Sequence, residues 1–171
     1  KGFGLPIIGE MELAARFLKG KMLAITGSNG KTTTTALVGE ILVMGGLPAL
    51  VGGNIGVPVI ELVEKSNDST WSVVEVSSFQ LESTIEFHPK IAVILNITPD
   101  HLDRHGTFEN YARAKERIFA AMDEHDCVVL NADNSPTVDA AARTSAKVFW
   151  FSLEHPVDQG AWLEEGSLVF R

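Results

Sequence analysis

Short apolar runs rich in β-branched residues alternate along the chain with segments whose apolar residues recur at helical spacing. The runs predict buried strands at residues 22–26, 71–76, 91–96, 127–131 and 147–151, with a weaker candidate at 48–52. The segments between them predict helices at residues 32–44, 57–65, 107–122 and 135–144. This alternation predicts an α/β fold: a mostly parallel sheet with helices on both faces and ligands at the carboxyl ends of its strands.

The two ends of the chain depart from the alternation. Near the C-terminus, KVFWFSLE and GAWLEEGSLVFR hold short strands around a Glu-Glu-Gly turn, which predicts a small antiparallel β excursion. The first twenty residues show no strand pattern before the first clear strand. We therefore interpret both ends as cut, with residues 1–20 a linker or the end of a preceding domain, and residues 21–171 one domain.

Composition and charge narrow the class of protein. A chain of 171 residues, 45% apolar and 21% charged, has the composition of one soluble globular domain. The net charge of −8 argues against nucleic acid as a partner, because neutralising phosphates requires clustered Lys and Arg. A lone Cys127 in an apolar run excludes an internal disulfide and is interpreted as a small buried hydrophobe. With no signal pattern and no uninterrupted apolar span, we expect a cytoplasmic protein.

The stretch LAITGSNGKTTTT, residues 23–35, carries the most specific chemical signal. Gly30, Lys31 and Thr32 match the end of the phosphate-binding pattern G-x-x-x-x-G-K-[ST], whereas Ile25 stands where its first glycine belongs and Gly27 comes two residues later. The alternative is a helix that begins after a turn, with a solvated lysine. A strand before the loop and a helix after it favour the phosphate-binding loop.

Two further stretches place polar groups near strand ends. Glu75 interrupts the apolar strand of WSVVEVSSF, and we predict a magnesium ligand opposite Thr32 over the alternative of a carboxylate that faces solvent. In ILNITPDHLDRHGT an apolar strand opens into a loop of charged and imidazole side chains. Such polarity after a buried strand indicates a site, although solvation is the default for each residue. His101, the first imidazole, is the candidate ligand.

The predicted helix 107–122 has a buried stripe at helical spacing, formed by Phe108, Tyr111, Ala112, Ile118, Phe119 and Met122. Lys115 lies on the same stripe and should be partly desolvated, which lowers the pKa of a lysine and increases the neutral amine that can react with carbon dioxide or act as a base. Periodicity alone favours the commoner alternative, a lysine whose stem packs while its ammonium reaches solvent.

Six stretches, in order, resemble the central ATP-binding domain of the Mur ligases: TGSNGKTTTT, GGNIGVP, VEVSSFQLE, LNITPDHLDRHGT, YARAKERIF and NADN. The resemblance covers residues 21–134 strongly and the rest weakly. GGNIG and SSFQLE resemble the members that join D-glutamate to UDP-N-acetylmuramoyl-L-alanine. The resemblance implies a monomeric, ATP-dependent amide ligase of peptidoglycan synthesis that forms an acyl phosphate, which the amine of D-glutamate then attacks.

The resemblance also implies an ATP and magnesium site. The phosphates would lie on Gly27, Ser28, Asn29, Gly30, Lys31, Thr32 and Thr33, with Lys31 at the β- and γ-phosphates. Thr32 and Glu75 would bind one Mg²⁺. His101 and Lys115 would bind a second, with Lys115 as a carbamate, which reverses the interpretation from periodicity because a carbamate is anionic. The predicted catalytic residues are therefore Lys31, Glu75, His101 and Lys115.

Three more positions match substrate-facing residues of the family. Asn54 in GGNIGVP and Ser77 in VEVSSFQLE would face the UDP-sugar, and Asn131 in LNADN would lie near the adenine. By composition alone, the two asparagine stretches are typical of plain turns.

Family members also have an N-terminal domain that binds the uridine nucleotide and a C-terminal domain that binds the amino acid. We expect neither in this chain, and we expect the closing helices of the central domain to be missing after Arg171, so that the chain binds nucleotide without ligating. Three alternatives stay open: another Mur ligase or a folylpolyglutamate synthetase, which share the loop; a P-loop NTPase or phosphotransferase; and a non-catalytic nucleotide-binding module.

Overall fold

A computed structural model describes residues 7–171, so the first six residues of the predicted linker lie outside the described part. The strands are β1 Lys21–Thr26, β2 Ala49–Gly53, β3 Trp71–Glu75, β4 Ile91–Ile94, β5 Cys127–Asn131, β6 Lys147–Ser152, β7 Gly160–Glu164 and β8 Ser167–Phe170. The helices are α1 Glu10–Ala15, α2 Lys31–Met44, α3 Val59–Val63, α4 Ser78–Glu82, α5 Leu102–His105, α6 Phe108–Glu116 and α7 Ser135–Ala141, with a 3-10 turn at Arg117–Phe119.

The strands form one sheet in the order β2-β3-β1-β4-β5-β6-β7-β8. Neighbours are parallel from β2 to β7, and only β7 and β8 pair antiparallel. Glu165 and Gly166 join those two strands with φ of 50° and 78°, the left-handed pair that a two-residue hairpin turn requires. The predicted fold class and the antiparallel excursion are confirmed.

Two cores lie on opposite faces of the sheet because alternate side chains of each strand point to opposite sides. The larger core combines inward residues of β1, β3, β4 and β5 with apolar residues of α1, α3, α4, α6 and α7. On the other face, α2 packs Val38 and Leu42 against Leu23, Ile25 and Val73. Half-buried Cys127 differs from the expected buried hydrophobe, since it lies at the first position of β5.

All six predicted strands and all four predicted helices are present, with ends shifted by a few residues. The helix predicted over 107–122 changes to a 3-10 turn after Glu116. Helices α1, α4 and α5 were not predicted because each has six residues or fewer and lies in no longer stretch with an apolar period. Helix α3 is as short, but it lies within the longer helical pattern predicted at 57–65. Within residues 7–171, the longest apolar helix is too short to cross a membrane.

Candidate functional site

The candidate residues meet at one edge of the sheet. β1, β3, β4 and β5 run parallel, and the loops that follow them carry the phosphate-loop motif, the Glu75–Ser77 turn, the His101 loop and Asn131. Since parallel strands present their carboxyl ends at a common edge, four sequence-distant stretches become neighbours there.

The loop between β1 and α2 is held open by contacts with the loop after β4. Asn29 donates its backbone N–H to Asn96 Oδ1 at 2.9 Å, and Asn96 Nδ2 donates back to the Asn29 carbonyl at 3.1 Å. Gly30 precedes α2 with φ 82°, a left-handed conformation that favours glycine. The first amides of α2 therefore open toward a cleft of about 270 Å³, and a helix N-terminus in such a cleft would stabilise a phosphate.

Lys31 lies across this loop. Its Nζ donates to the carbonyls of Gly27 and Ser28, each at 3.0 Å, so the ammonium is held beside the cleft instead of extending into solvent. An anion in the cleft would contact both the Lys31 ammonium and the backbone amides at the start of α2, which is the arrangement that the sequence predicts for a phosphate-binding loop.

Glu75 is 2% exposed and closes the floor of the same cleft. Thr32 Oγ1 donates to Oε2 at 2.7 Å, and Asn54 Nδ2 donates to Oε1 at 3.1 Å. Among residues 7–171 its carboxylate has no ion pair with a Lys, Arg or His. The alternative of a solvent-facing carboxylate is wrong, and a buried carboxylate beside a hydroxyl is an oxygen donor set that fits Mg²⁺.

The turn that brings Asn54 to Glu75 depends on Gly53. A Cβ at this position would lie 2.1 Å from the Glu75 carbonyl oxygen, and its φ of 128° is one that other residues rarely adopt. Glycine thus lets β2 end against β3 so closely that Asn54 N–H bonds the Glu75 carbonyl at 2.9 Å.

Lys115 is 2% exposed, so the alternative of a solvent-reaching ammonium is wrong. Its Nζ donates to the Gly27 carbonyl at 2.8 Å and lies 4.6 Å from the Tyr111 ring centroid. Burial, followed by repulsion from Lys31, lowers the pKa of Lys115 to about 7, while Asp100 acts in the opposite direction. Near pH 7 a large share of Lys115 is therefore the neutral amine, and the neutral amine is the form that can react with carbon dioxide.

His101 lies close to the aromatic rings of Tyr111 and Phe79. Its ring is 6.4 Å from the Tyr111 ring and 5.0 Å from the Phe79 ring, measured between centroids, and its side chain is about half exposed. Its backbone adopts φ 49°, ψ 34°, and Asp100 Oδ1 accepts its N–H. Lys115 and His101 thus both flank Tyr111.

Ser77 and Asn131 have structural partners at the same edge. The Ser77 hydroxyl and backbone N–H form a capping box with Gln80 at the start of α4. Asn131 donates Nδ2 to the Leu95 carbonyl at 3.0 Å and accepts the Asp133 N–H at 2.8 Å. Their predicted contacts with substrate and adenine stay predictions.

Sequence reasoning missed two residues that shape the phosphate loop. The predicted strand 91–96 includes Asn96, but the side-chain amide of Asn96 bonds the backbone of Asn29 and so fixes the loop. The apolar stripe of the predicted helix 107–122 indicates only packing for Tyr111, but its hydroxyl lies 3.0 Å from Ser28 Oγ, which also donates to the Thr98 carbonyl. Because the hydroxyl of a buried tyrosine usually has a hydrogen-bond partner, the position of Tyr111 on the buried stripe was the one signal that could have indicated this contact.

Comparison with known proteins adds to this geometry. Residues 25–167 match the family described as Mur ligase middle domain. The UDP-N-acetylmuramoylalanine–D-glutamate ligase of Acidobacterium capsulatum is 65% identical over 169 residues, 99% of this chain and 37% of that protein. The ligase of the same name from Koribacter versatilis is 60% identical over 168 residues, 98% of this chain and 37% of that protein. The chain thus spans little more than a third of these relatives.

Solved structures share the fold at low identity. MurF from Acinetobacter baumannii superposes with a TM-score of 0.68 at 22% identity, covering 91% of this chain and 36% of that one. MurF from Thermotoga maritima, in complex with ADP, gives 0.64 at 22% identity over 94% of this chain and 40% of that one. E. coli FolC, in complex with DHPP and ADP, gives 0.64 at 16% identity over 99% and 53%.

Proposed function

Because the chain belongs to the Mur ligase family, we propose that it is the ATP-binding part of a ligase that adds D-glutamate to UDP-N-acetylmuramoyl-L-alanine. The observation that carries the proposal is the cleft in which Lys31 and the α2 amides lie beside the hydrogen bond from exposed Thr32 to buried Glu75. The names of the relatives that are 65% and 60% identical support the choice of D-glutamate.

In the proposed reaction, the γ-phosphate of ATP moves to the substrate carboxylate, which gives an acyl phosphate and ADP. The amine of D-glutamate then attacks the acyl carbon, and the tetrahedral intermediate releases phosphate. The protein itself forms no covalent bond, so its contribution is positioning and electrostatic stabilisation.

Lys31 and the loop from Gly27 to Thr33 would hold the phosphates. Lys31 would leave its two carbonyl acceptors and turn its ammonium to the β- and γ-oxygens, a motion within one side chain. Thr32 and Glu75 would hold Mg²⁺, which neutralises charge as carboxylate and phosphate approach.

His101 and Lys115 are proposed to hold a second Mg²⁺, with Lys115 as a carbamate. The lowered pKa of Lys115, about 7, supports this, since the neutral amine is the form that reacts with carbon dioxide. Asn54 and Ser77 are proposed to face the UDP-sugar, and Asn131 the adenine. The chain is proposed to bind nucleotide as a cytoplasmic monomer and to need the rest of the ligase to form the amide.

The nucleotide site is tested by calorimetric titration of this chain with ATP and Mg²⁺. Lys31→Ala should weaken binding about 10- to 100-fold, because it removes charge-assisted hydrogen bonds to phosphate. Lys65→Ala, which removes an exposed lysine, is the matched control and should bind as the wild type does. Equal affinity in Lys31→Ala would contradict the phosphate-loop assignment.

Glu75→Gln is the second arm of the same test, since it keeps the shape of the side chain and removes its charge. It should bind ATP without magnesium as the wild type does and lose the gain in affinity that magnesium gives. In the ligase that contains this chain, both variants should lose detectable ligation, because one such contact contributes about 100- to 1000-fold in rate. Near-normal ADP release by either variant would overturn the assignment.

A further inference from the structure

A chain of three polar side chains connects helices α4 and α5, and two of them, Ser78 and His105, are buried. Ser78 Oγ lies 3.0 Å from His105 Nε2, and His105 Nδ1 lies 3.2 Å from Glu82 Oε1. Because a carboxylate only accepts hydrogen bonds, Glu82 favours the tautomer of a neutral imidazole with the proton on Nδ1, in which Nε2 can accept from the Ser78 hydroxyl. We call Ser78, His105 and Glu82 the relay.

The relay has the order of groups found in a Ser-His-acid catalytic triad, but its serine cannot be reached by a substrate. Ser78 is 2% exposed, and its side chain lies in the first turn of α4 against the imidazole. A nucleophile must reach a substrate carbon, and this hydroxyl cannot. Acyl transfer through Ser78 is therefore excluded by burial, and the relay must act through what it holds in place.

What it holds is α5, the single helical turn that follows His101. Helix α5 has four residues, too few to be stable by itself, so its position depends on tertiary contacts. His105 ends this helix, and its backbone N–H bonds the His101 carbonyl at 3.1 Å. Its ring also stacks on Phe79 with centroids 5.5 Å apart and planes 2° apart.

His101 needs such support because its backbone is left-handed. A non-glycine residue at φ 49° is held there only when its surroundings determine it, and such residues cluster at functional sites. On the N-terminal side of His101, Asp100 Oδ1 accepts the His101 backbone N–H and so restrains its backbone. On the other side, the side chains that tie α5 to α4 come from His105, through Ser78 and Glu82, and from exposed Arg104, which bonds Glu82 at 2.9 Å.

We propose that Ser78, His105 and Glu82 are positioning residues that fix α5 on α4 and thereby orient the His101 imidazole toward the reaction site. The proposal rests on the proposed function for the role of His101. It assigns the relay no contact with substrate, nucleotide or metal. Its consequence is that loss of the relay should disturb His101 and its ligand while leaving the phosphate loop intact.

The first test needs no activity and uses this chain. Nitrogen-15 NMR should show His105 protonated at Nδ1, with Nε2 as an acceptor. Ser78→Ala should shift the Nε2 resonance, and both Ser78→Ala and His105→Ala should shift the ring resonances of His101. Glu109→Ala, which removes an exposed carboxylate of α6 and keeps every contact between α4 and α5, is the control and should leave His101 unchanged. Unchanged His101 resonances in a folded His105→Ala variant would overturn the proposal.

The second test uses the ligase that contains this chain. His105→Ala should raise the Mg²⁺ concentration for half-maximal ligation about 10- to 100-fold, the usual effect of removing a group that supports a metal ligand. The KM for ATP should stay within about twofold. His105→Gln, whose amide can still bond Ser78, should recover part of the loss. An unchanged Mg²⁺ requirement would refute the proposal.

The two tests separate this proposal from the proposed function. If the wild-type chain binds no ATP, the proposed function fails, while the NMR comparison still decides whether the relay orients His101. If His105→Ala does not fold, as judged by circular dichroism, Ser78→Ala decides the question, because it keeps the imidazole and removes only the hydroxyl.

Discussion

At the scale of single residues, the buried surroundings of Lys115 differ strongly from those of a solvated lysine. Burial is the larger cause and Lys31 the smaller, and together they lower its pKa from 10.5 to about 7. The Gly27 carbonyl satisfies one of its three protons, and the Tyr111 ring face stabilises the charge that remains. Burial of the charged Lys115 side chain at the proposed site therefore lowers the free energy of unfolding of the chain.

Lys115→Met should accordingly stabilise the chain near and below pH 7, by roughly 1–4 kcal/mol, since a buried charge is replaced by an apolar group. Below pH 7 the wild type carries the full cost of the buried ammonium. Between about pH 7 and 10.5 the native lysine is neutral while the unfolded one is protonated, so wild-type stability rises with pH. The difference between variant and wild type should therefore shrink across that window.

Urea unfolding at several pH values from 6 to about 10 measures this difference. Lys65→Met, at an exposed position, is the control and should show no such trend. A stability difference that stays constant with pH would show that Lys115 is not desolvated in the folded chain.

At the scale of elements, the sheet edge opposite the site is held by a charged network. Asp126 precedes β5, and its carboxylate bonds His88 Nε2 at 2.6 Å and Lys90 Nζ at 3.0 Å, both before β4. His88, Asp123 and Asp126 lie close enough to hold a metal ion. However, the Lys90 ammonium and the Asp123 N–H already occupy the Asp126 oxygens, so the group is a strand-joining network.

Asp126→Asn should destabilise the chain by about 2 kcal/mol at pH 7. Burial alone would raise the pKa of Asp126, but hydrogen bonds from Asp123, His88 and Lys90 outweigh it and lower the pKa from 3.8 to about 2. The stability that this provides is complete above about pH 4 and lost as the pH falls through about 2.

Chemical unfolding of Asp126→Asn and wild type between pH 2 and 7 checks this, with exposed Asp68→Asn as the control. The two curves should converge toward the acid end. Parallel curves across the whole range would mean that the charge of Asp126 contributes nothing to joining the strands.

At the scale of the whole molecule, the outer side of α2 carries a stripe of exposed apolar side chains, called here the α2 stripe. Leu37, Ile41 and Met44 recur at helical spacing and are 57%, 57% and 84% exposed. On the same face of the sheet, Val129, Phe149 and Phe151 are half-buried and belong to neither core.

Net charge and exposed apolar surface have opposite effects on the self-association of this chain. Its net charge of −8 keeps copies apart at low salt, whereas the α2 stripe favours contact. We expect a monomer at low ionic strength and partial association at high salt, where the charges are screened. Ile41→Lys should prevent association, and Ile85→Lys, outside the stripe, should not. Light scattering after size exclusion distinguishes these outcomes, and a dimer at low salt would contradict the expectation.

Sequence alone determined the elements whose cause is local. The period of apolar residues located the strands and the longer helices, because a buried strand or an amphipathic helix needs that period wherever it packs. The loop LAITGSNGKTTTT identified a phosphate site for the same reason, since glycine, lysine and threonine act there within one turn of chain. Short helices such as α4 and α5 were not predicted from the sequence, because caps and tertiary contacts stabilise them and not a repeated apolar period.

Only the tertiary structure decided which distant side chains meet and which are buried. Periodicity favoured a solvated Lys115, and only the packing of α6 against the β1 loop buries its amine under Gly27. The contact of Thr32 with Glu75 spans 43 positions, and that of Ser78 with His105 spans 27. Such pairs follow from strand order, which places the ends of β3, β1 and β4 side by side. Strand order is a property of the whole packed sheet, because each strand finds its neighbours only when both faces are buried together.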